Sequence, residues 1–223
     1  MNTRTFLRLL VVSTLLVLCA SVAKSATITF VSVNGVDDGR DYVGPYTIQI
    51  DGTTYAAMCY DVLGTVSFGQ TWEANLVRFA DLSGSYYAGY PDYEQGYAEV
   101  AWLFSQLLLT HSPSTQIDIQ HAAWSLFNPA GFEGDPGAAA WRSLAQTAYY
   151  AGLPDVNLDT FRLVEAVPDG PRVQGLVVNG FYSVFQIEAG GSGSTAPEPA
   201  GCLLMGCGLT LFGAMARRRT PSR

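Results

Sequence analysis

Two side chains in this sequence can bond covalently to one another. Cys59 stands in Met58-Cys59-Tyr60-Asp61, and Gln120 stands in Ile119-Gln120-His121-Ala122-Ala123-Trp124. A thiolate attacks a carboxamide when burial excludes water and fixed donors polarise the carbonyl; ammonia leaves and a thioester remains. Asp61 or Tyr60, both next to the thiol in sequence, would assist the proton transfer, and Trp124 lies one helical turn beyond Gln120. An incoming amine or hydroxyl opens such a thioester once, bonding to Gln120 and freeing Cys59. The chemistry is stoichiometric, so the expectation is a chain that is not an enzyme. The same pair also has a structural reading, in which Cys59 is a buried apolar thiol and Gln120 a buried amide bonded to backbone. The residues alone leave both open.

Other chemistry is poorly provided for. His111 and His121 are the two histidines; no glycine-rich phosphate loop and no Cys/His cluster with metal-ligand spacing occurs, so no cofactor or metal is expected. Asp37, Asp38 and Asp41 miss the spacing of a calcium loop and read as a solvated acidic turn. Tyr86, Tyr87, Tyr90, Tyr93 and Tyr97 either offer flat faces to sugar rings or pack over the start of a helix.

The elements that must position Cys59 and Gln120 follow from periodicity. "ATITFVSV" alternates in part, and "YTIQIDGTTYAAMCYDV" is two strands about Asp51-Gly52, a strong hairpin signal, which puts Cys59 near the end of a strand. "VSFGQTWEANLVRF" fits a strand or a short helix. From Tyr93 the period changes: Tyr97, Val100, Ala101, Phe104, Leu107 and Leu108 share a helical face that ends at His111-Ser112-Pro113. A second helix runs from Ser114 or Thr115 to Phe127, with Ile117, Gln120, Ala123, Trp124 and Phe127 on one side and Asn128-Pro129 as its stop. A third, from Pro136 to Tyr150, has Asp135 as N-cap and ends at Gly152. "FRLVEAV", "VQGLVV" and "FYSVFQIEA" return as strands. The fold class is therefore α+β: an antiparallel sheet from N- and C-terminal strands with about three central helices, flanked by a signal peptide and a C-terminal transmembrane helix.

The ends give the chain's organisation. Arg4 and Arg8 precede the apolar run Leu9 to Leu18 and then small residues, the layout of a secretory signal peptide over 1–25. The extracytoplasmic domain spans 26–189 and a Gly/Ser linker 190–196. Residues 200–216 carry no charge and would form a helix of roughly 25 Å, short for a permanent span. Arg217, Arg218 and Arg219 then hold the end, 220–223 included, in the cytoplasm. Without the ends, the remaining charge is near −14 and no lysine is left, a balance that opposes nucleic-acid binding. A surface free of amines would also spare a latent electrophile from self-reaction; an arginine-preferring composition explains the same absence. Cys19, Cys202 and Cys207 fall in the apolar ends, leaving Cys59 alone in the domain and excluding a disulfide framework there.

Two resemblances follow from these motifs. Pro197-Glu198-Pro199, the uncharged stretch and the arginine cluster, together 197–219, resemble the PEP-CTERM sorting tail of Gram-negative bacteria that make exopolysaccharide. The resemblance implies processing by an exosortase near the triplet, a transient membrane anchor, and a mature domain at the cell surface or in the exopolysaccharide matrix. A plain C-terminal anchor is the alternative. Cys59-x-Asp61 and Gln120-x-Ala122-x-Trp124 resemble the thioester domains of bacterial surface adhesins, with Ile119 where that family favours Thr. This implies a Cys59–Gln120 cross-link and covalent attachment to a surface polymer; a non-covalent structural or glycan-binding matrix protein is the alternative.

Overall fold

In the computed structural model the described residues are 25–183, apart from 169 and 171. The expected signal peptide, linker and sorting tail, with Pro197, Glu198, Pro199 and Arg217 to Arg219, lie outside them.

Strands β1 (Ala26–Val33), β2 (Tyr46–Ile50), β3 (Thr53–Cys59) and β4 (Thr71–Arg78) precede three helices, α1 (Tyr93–Leu109), α2 (Pro113–Phe127) and α3 (Pro136–Tyr150). Strands β5 (Phe161–Ala166) and β6 (Leu176–Ser183) follow. All neighbours pair antiparallel in the order β1-β2-β3-β6-β5-β4, and β1 pairs with β4 through Ala26–Ala74 and Ile28–Trp72, so the sheet closes into a barrel. The expected antiparallel sheet is thus present, with no free edge. The hairpin turns where Asp51-Gly52 places it: both residues have positive φ, 48° and 82°, the geometry that follows the twist of the flanking strands.

The undecided segment is a strand. Trp72 and Ala74 are buried while Glu73 and Asn75 are exposed, a period of two that a helix would scramble, and both edges are paired, to β1 and β5. One expectation needs correcting. "VQGLVV" and the start of "FYSVFQIEA" do not form separate strands, because the chain runs on through Asn179 and Gly180 as one strand, β6, whose pairing with β3 shifts register between Val178 and Ser183. Asn-Gly is a turn signal only where both residues adopt positive φ, and Gly180 does not.

The helices lie where their caps require. Ser112 accepts from the Thr115 N–H with Pro113 behind it, and Asp135 accepts from the Ala138 N–H at 3.0 Å with Pro136 behind it. Two apolar clusters result. Ile28, Phe30, Ile48, Ala57, Cys59 and Val164 fill the barrel; Met58, Tyr60, Phe104, Ile119, Phe161 and Val177 join the sheet's outer face to the helices. Strand alternation sends neighbours on β3 into different cores.

Candidate functional site

Cys59, the last residue of β3, is fully buried and faces the barrel cluster. Gln120 is fully buried on α2. Its side-chain amide donates to the Cys59 backbone carbonyl at 2.5 Å, and its Oε1 accepts the Gly44 N–H at 3.1 Å. Both ends of the carboxamide are fixed, one by the residue whose thiol is in question and one by the segment that enters β2. Gly44 suits this approach: a Cβ there would stand 3.2 Å from Gln120 Oε1 and 3.3 Å from Leu107, tight enough that these side chains would have to give way.

The Cys59 thiol donates to the Asp61 backbone carbonyl at 3.2 Å. Burial pushes its pKa up to about 12; the nearby Trp124 indole opposes that, and the Asp61 charge adds to it. The thiol is therefore protonated at neutral pH. Trp124 belongs to the same cluster as Cys59, and its buried Nε1 has no hydrogen-bond partner of ordinary geometry. Its effect on the thiol is that of a nearby N–H favouring the thiolate.

Asp61 is fully buried. Its Oδ1 accepts from the Tyr87 hydroxyl at 2.8 Å and the Leu63 N–H at 3.0 Å, with the exposed Arg172 guanidinium 3.8 Å away, while Oδ2 is buried without a hydrogen-bond partner among the described residues. Tyr60 is turned away from the thiol. It sits in the helix-facing core and its hydroxyl donates to Glu165. Tyr97 and the Tyr86 N–H also bind Glu165, whose carboxyl is raised by burial, partly offset by these donors. Of the five tyrosines considered for sugar stacking, Tyr87 and Tyr97 are buried packing residues at the start of α1, and Tyr87 stacks on Phe127 at 4.3 Å.

The sequence reading missed His121, whose Nε2 lies 2.8 Å from Asp38 and Nδ1 2.8 Å from Asp135. Burial raises the pKa of both aspartates, but backbone N–H groups and His121 more than offset it, and both end lowered. Asp38 is thus a pin between the β1–β2 loop and α2, not a solvated turn residue, although its Oδ1 does cap the Arg40 and Asp41 N–H groups. A cavity of about 520 Å³ lies outside Trp124, lined by His121, Asp38, Asp41, Val62 and Phe132 among others. Its walls come from the β1–β2 loop, the segment after Cys59, α2, and the turn from Asn128 to Asp135 that follows α2.

No family model matches the chain, and no curated protein matches it. Solved structures that resemble it include two, each at 12% identity and a TM-score of 0.44. The N-terminal domain of the Streptococcus pyogenes pilus tip adhesin Cpa covers 72% of this chain over 95% of its own. The N-terminal thioester domain of fibronectin-binding protein SfbI from Streptococcus pyogenes covers 71% over 95% of its own.

Proposed function

We propose that the domain is an exported, exosortase-sorted surface or matrix module whose Cys59 and Gln120 form an internal thioester for covalent attachment to an extracellular polymer. The observation that carries this reading is the fixed carboxamide. Gln120 is held dry between the Cys59 carbonyl and the Gly44 N–H, and that N–H points at the oxygen on which charge develops when sulfur adds to the acyl carbon.

In the step, the Cys59 thiol gives its proton to Asp61 Oδ2, sulfur bonds to Gln120 Cδ, the C–N bond breaks, and the nitrogen takes that same proton from Asp61 and leaves as ammonia, returning Asp61 to its carboxylate. Tyr60 is committed to Glu165, which leaves Asp61 as the proton acceptor of the two residues considered. Trp124 supplies an N–H toward the sulfur. Later attack by an amine or hydroxyl forms a bond to Gln120 and returns the thiol to Cys59. The raised thiol pKa and the fully bonded amide favour one alternative, a non-covalent structural clamp in a matrix protein.

Intact mass of the purified protein separates the two. The thioester reading expects a mass lower than the sequence by one ammonia, and methylamine adding at Gln120 with a new free thiol at Cys59. An unmodified mass with a free Cys59 thiol leaves the structural clamp.

A further inference from the structure

On the far side of the helical layer, away from β3, a groove of about 430 Å³ runs between α1 and α3 over the end of α2. Its lining is polar; of its charged groups, Asp92, Glu99 and Arg142, the acid Glu99 and the guanidinium are held apart. Glu99 on α1 is 3% exposed, and one oxygen accepts from the Gln95 amide at 2.7 Å. The other oxygen has no hydrogen bond among the described residues, yet it is not sealed from solvent, so it opens toward the groove. Arg142 on α3 stands close enough to act on the Glu99 charge but makes neither an ion pair nor a hydrogen bond with it. Gln146 lies one turn beyond Arg142, and Tyr150, 73% exposed, presents its ring at the rim.

We propose that this groove binds a neutral glycan. A carboxylate and a guanidinium that face one space without touching are completed together by hydroxyl groups, each of which donates to the acid and accepts from the guanidinium. Gln95 and Gln146 add amide donors and acceptors to the same wall, and Tyr150 supplies a flat apolar face with a polar edge. An anionic polymer meets Glu99, the neighbouring Asp92 and the acidic domain as a whole. A cation meets the Arg142 guanidinium, and an apolar ligand would strip water from every polar wall without replacing its bonds. The remaining class is uncharged and rich in hydroxyls. The site is independent of the thioester reading: it would hold a polymer reversibly whether or not Gln120 then bonds to anything.

The test is titration calorimetry of the purified protein with cellohexaose, maltohexaose and mannohexaose, and with alginate oligomers as the anionic control. At least one neutral hexaose is expected to bind. Arg142→Ala, at a half-buried position, and Tyr150→Ala, at an exposed one, should each weaken that binding at least about tenfold while leaving the melting temperature within a few degrees, since a hydrogen bond to a charged group or a sugar–ring contact is worth that much. Cys59→Ala should bind as wild type. Absence of binding to all three hexaoses, preference for alginate, or binding untouched by both substitutions would each overturn the proposal. Loss of binding in Cys59→Ala would instead assign retention to the thiol and overturn it too.

Discussion

Cys59 and Tyr60 are neighbours in sequence and both fully buried, yet they live in different cores. Cys59 faces a largely apolar barrel, its thiol donating to the Asp61 backbone carbonyl and its own carbonyl accepting from the Gln120 amide. Tyr60 faces the helices and ends on Glu165, where hydroxyls from two tyrosines and a backbone N–H converge on one carboxyl. The first arrangement holds one carboxamide in a fixed place; the second spends every donor on rigidity. Placing a quiet thiol beside a heavily satisfied network lets the fold's stability rest on one side of β3 while the proposed chemistry is confined to the other.

This contrast can be broken by substitution. Glu165→Ala strands two tyrosine hydroxyls and the Tyr86 N–H, and should cost about 3–5 kcal/mol in chemical denaturation. If it costs no more than changes at Cys59, the division of labour is wrong. Next in size, Gln120→Ala leaves the Gly44 N–H and the Cys59 carbonyl without their partner and opens a small cavity, for about 2–4 kcal/mol. Cys59→Ala, which removes one buried atom and no obligatory bond, should cost about 1 kcal/mol if the thiol is free. A markedly larger loss sharpens the picture toward the thioester, because a cross-link over a loop of this length restrains the unfolded chain by roughly 4 kcal/mol; measuring methylamine-treated wild type beside the variant separates the two contributions.

The smallest expected effect is in pH. Asp38 and Asp135 have lowered pKa values, so their contribution to stability is present above about 3.8 and is lost as pH falls through their folded values. Glu165 and Glu99 are raised, so the folded state favours their protonated forms: that contribution is full below about 4.5 and declines as pH rises through their folded values. Thermal melts from pH 3 to 8 should therefore peak near pH 4 to 4.5, and Glu165→Gln should flatten the fall on the alkaline side. A peak at neutral pH would show that other groups dominate.

How far the sequence reached can be judged residue by residue. The turn at Asp51-Gly52 and the bounds of α3 were legible because local chemistry sets them: positive φ at two consecutive residues, and an N-cap aspartate followed by proline. The strand identity of β4 was not, since Trp72 and Ala74 alternate over too few residues to exclude a helix until β1 and β5 supply partners. Glu165 gave a faint signal, a carboxylate inside an apolar run. Gly44 gave none, because a backbone donor has no side chain to notice, and Asp38 was hidden in an acidic cluster whose members look alike until His121 selects one.

By itself the sequence determined which residue types are available for the proposed chemistry, because a lone thiol in the domain, a helix-borne glutamine and the caps and turns around them depend on residue type and near neighbours. Only the tertiary structure decided who meets whom. Barrel closure brought β3 beside β6, α2 brought Gln120 to the Cys59 carbonyl across 61 positions, and strand alternation turned Tyr60 away from the thiol beside it. Those encounters depend on packing that no short stretch of chain encodes.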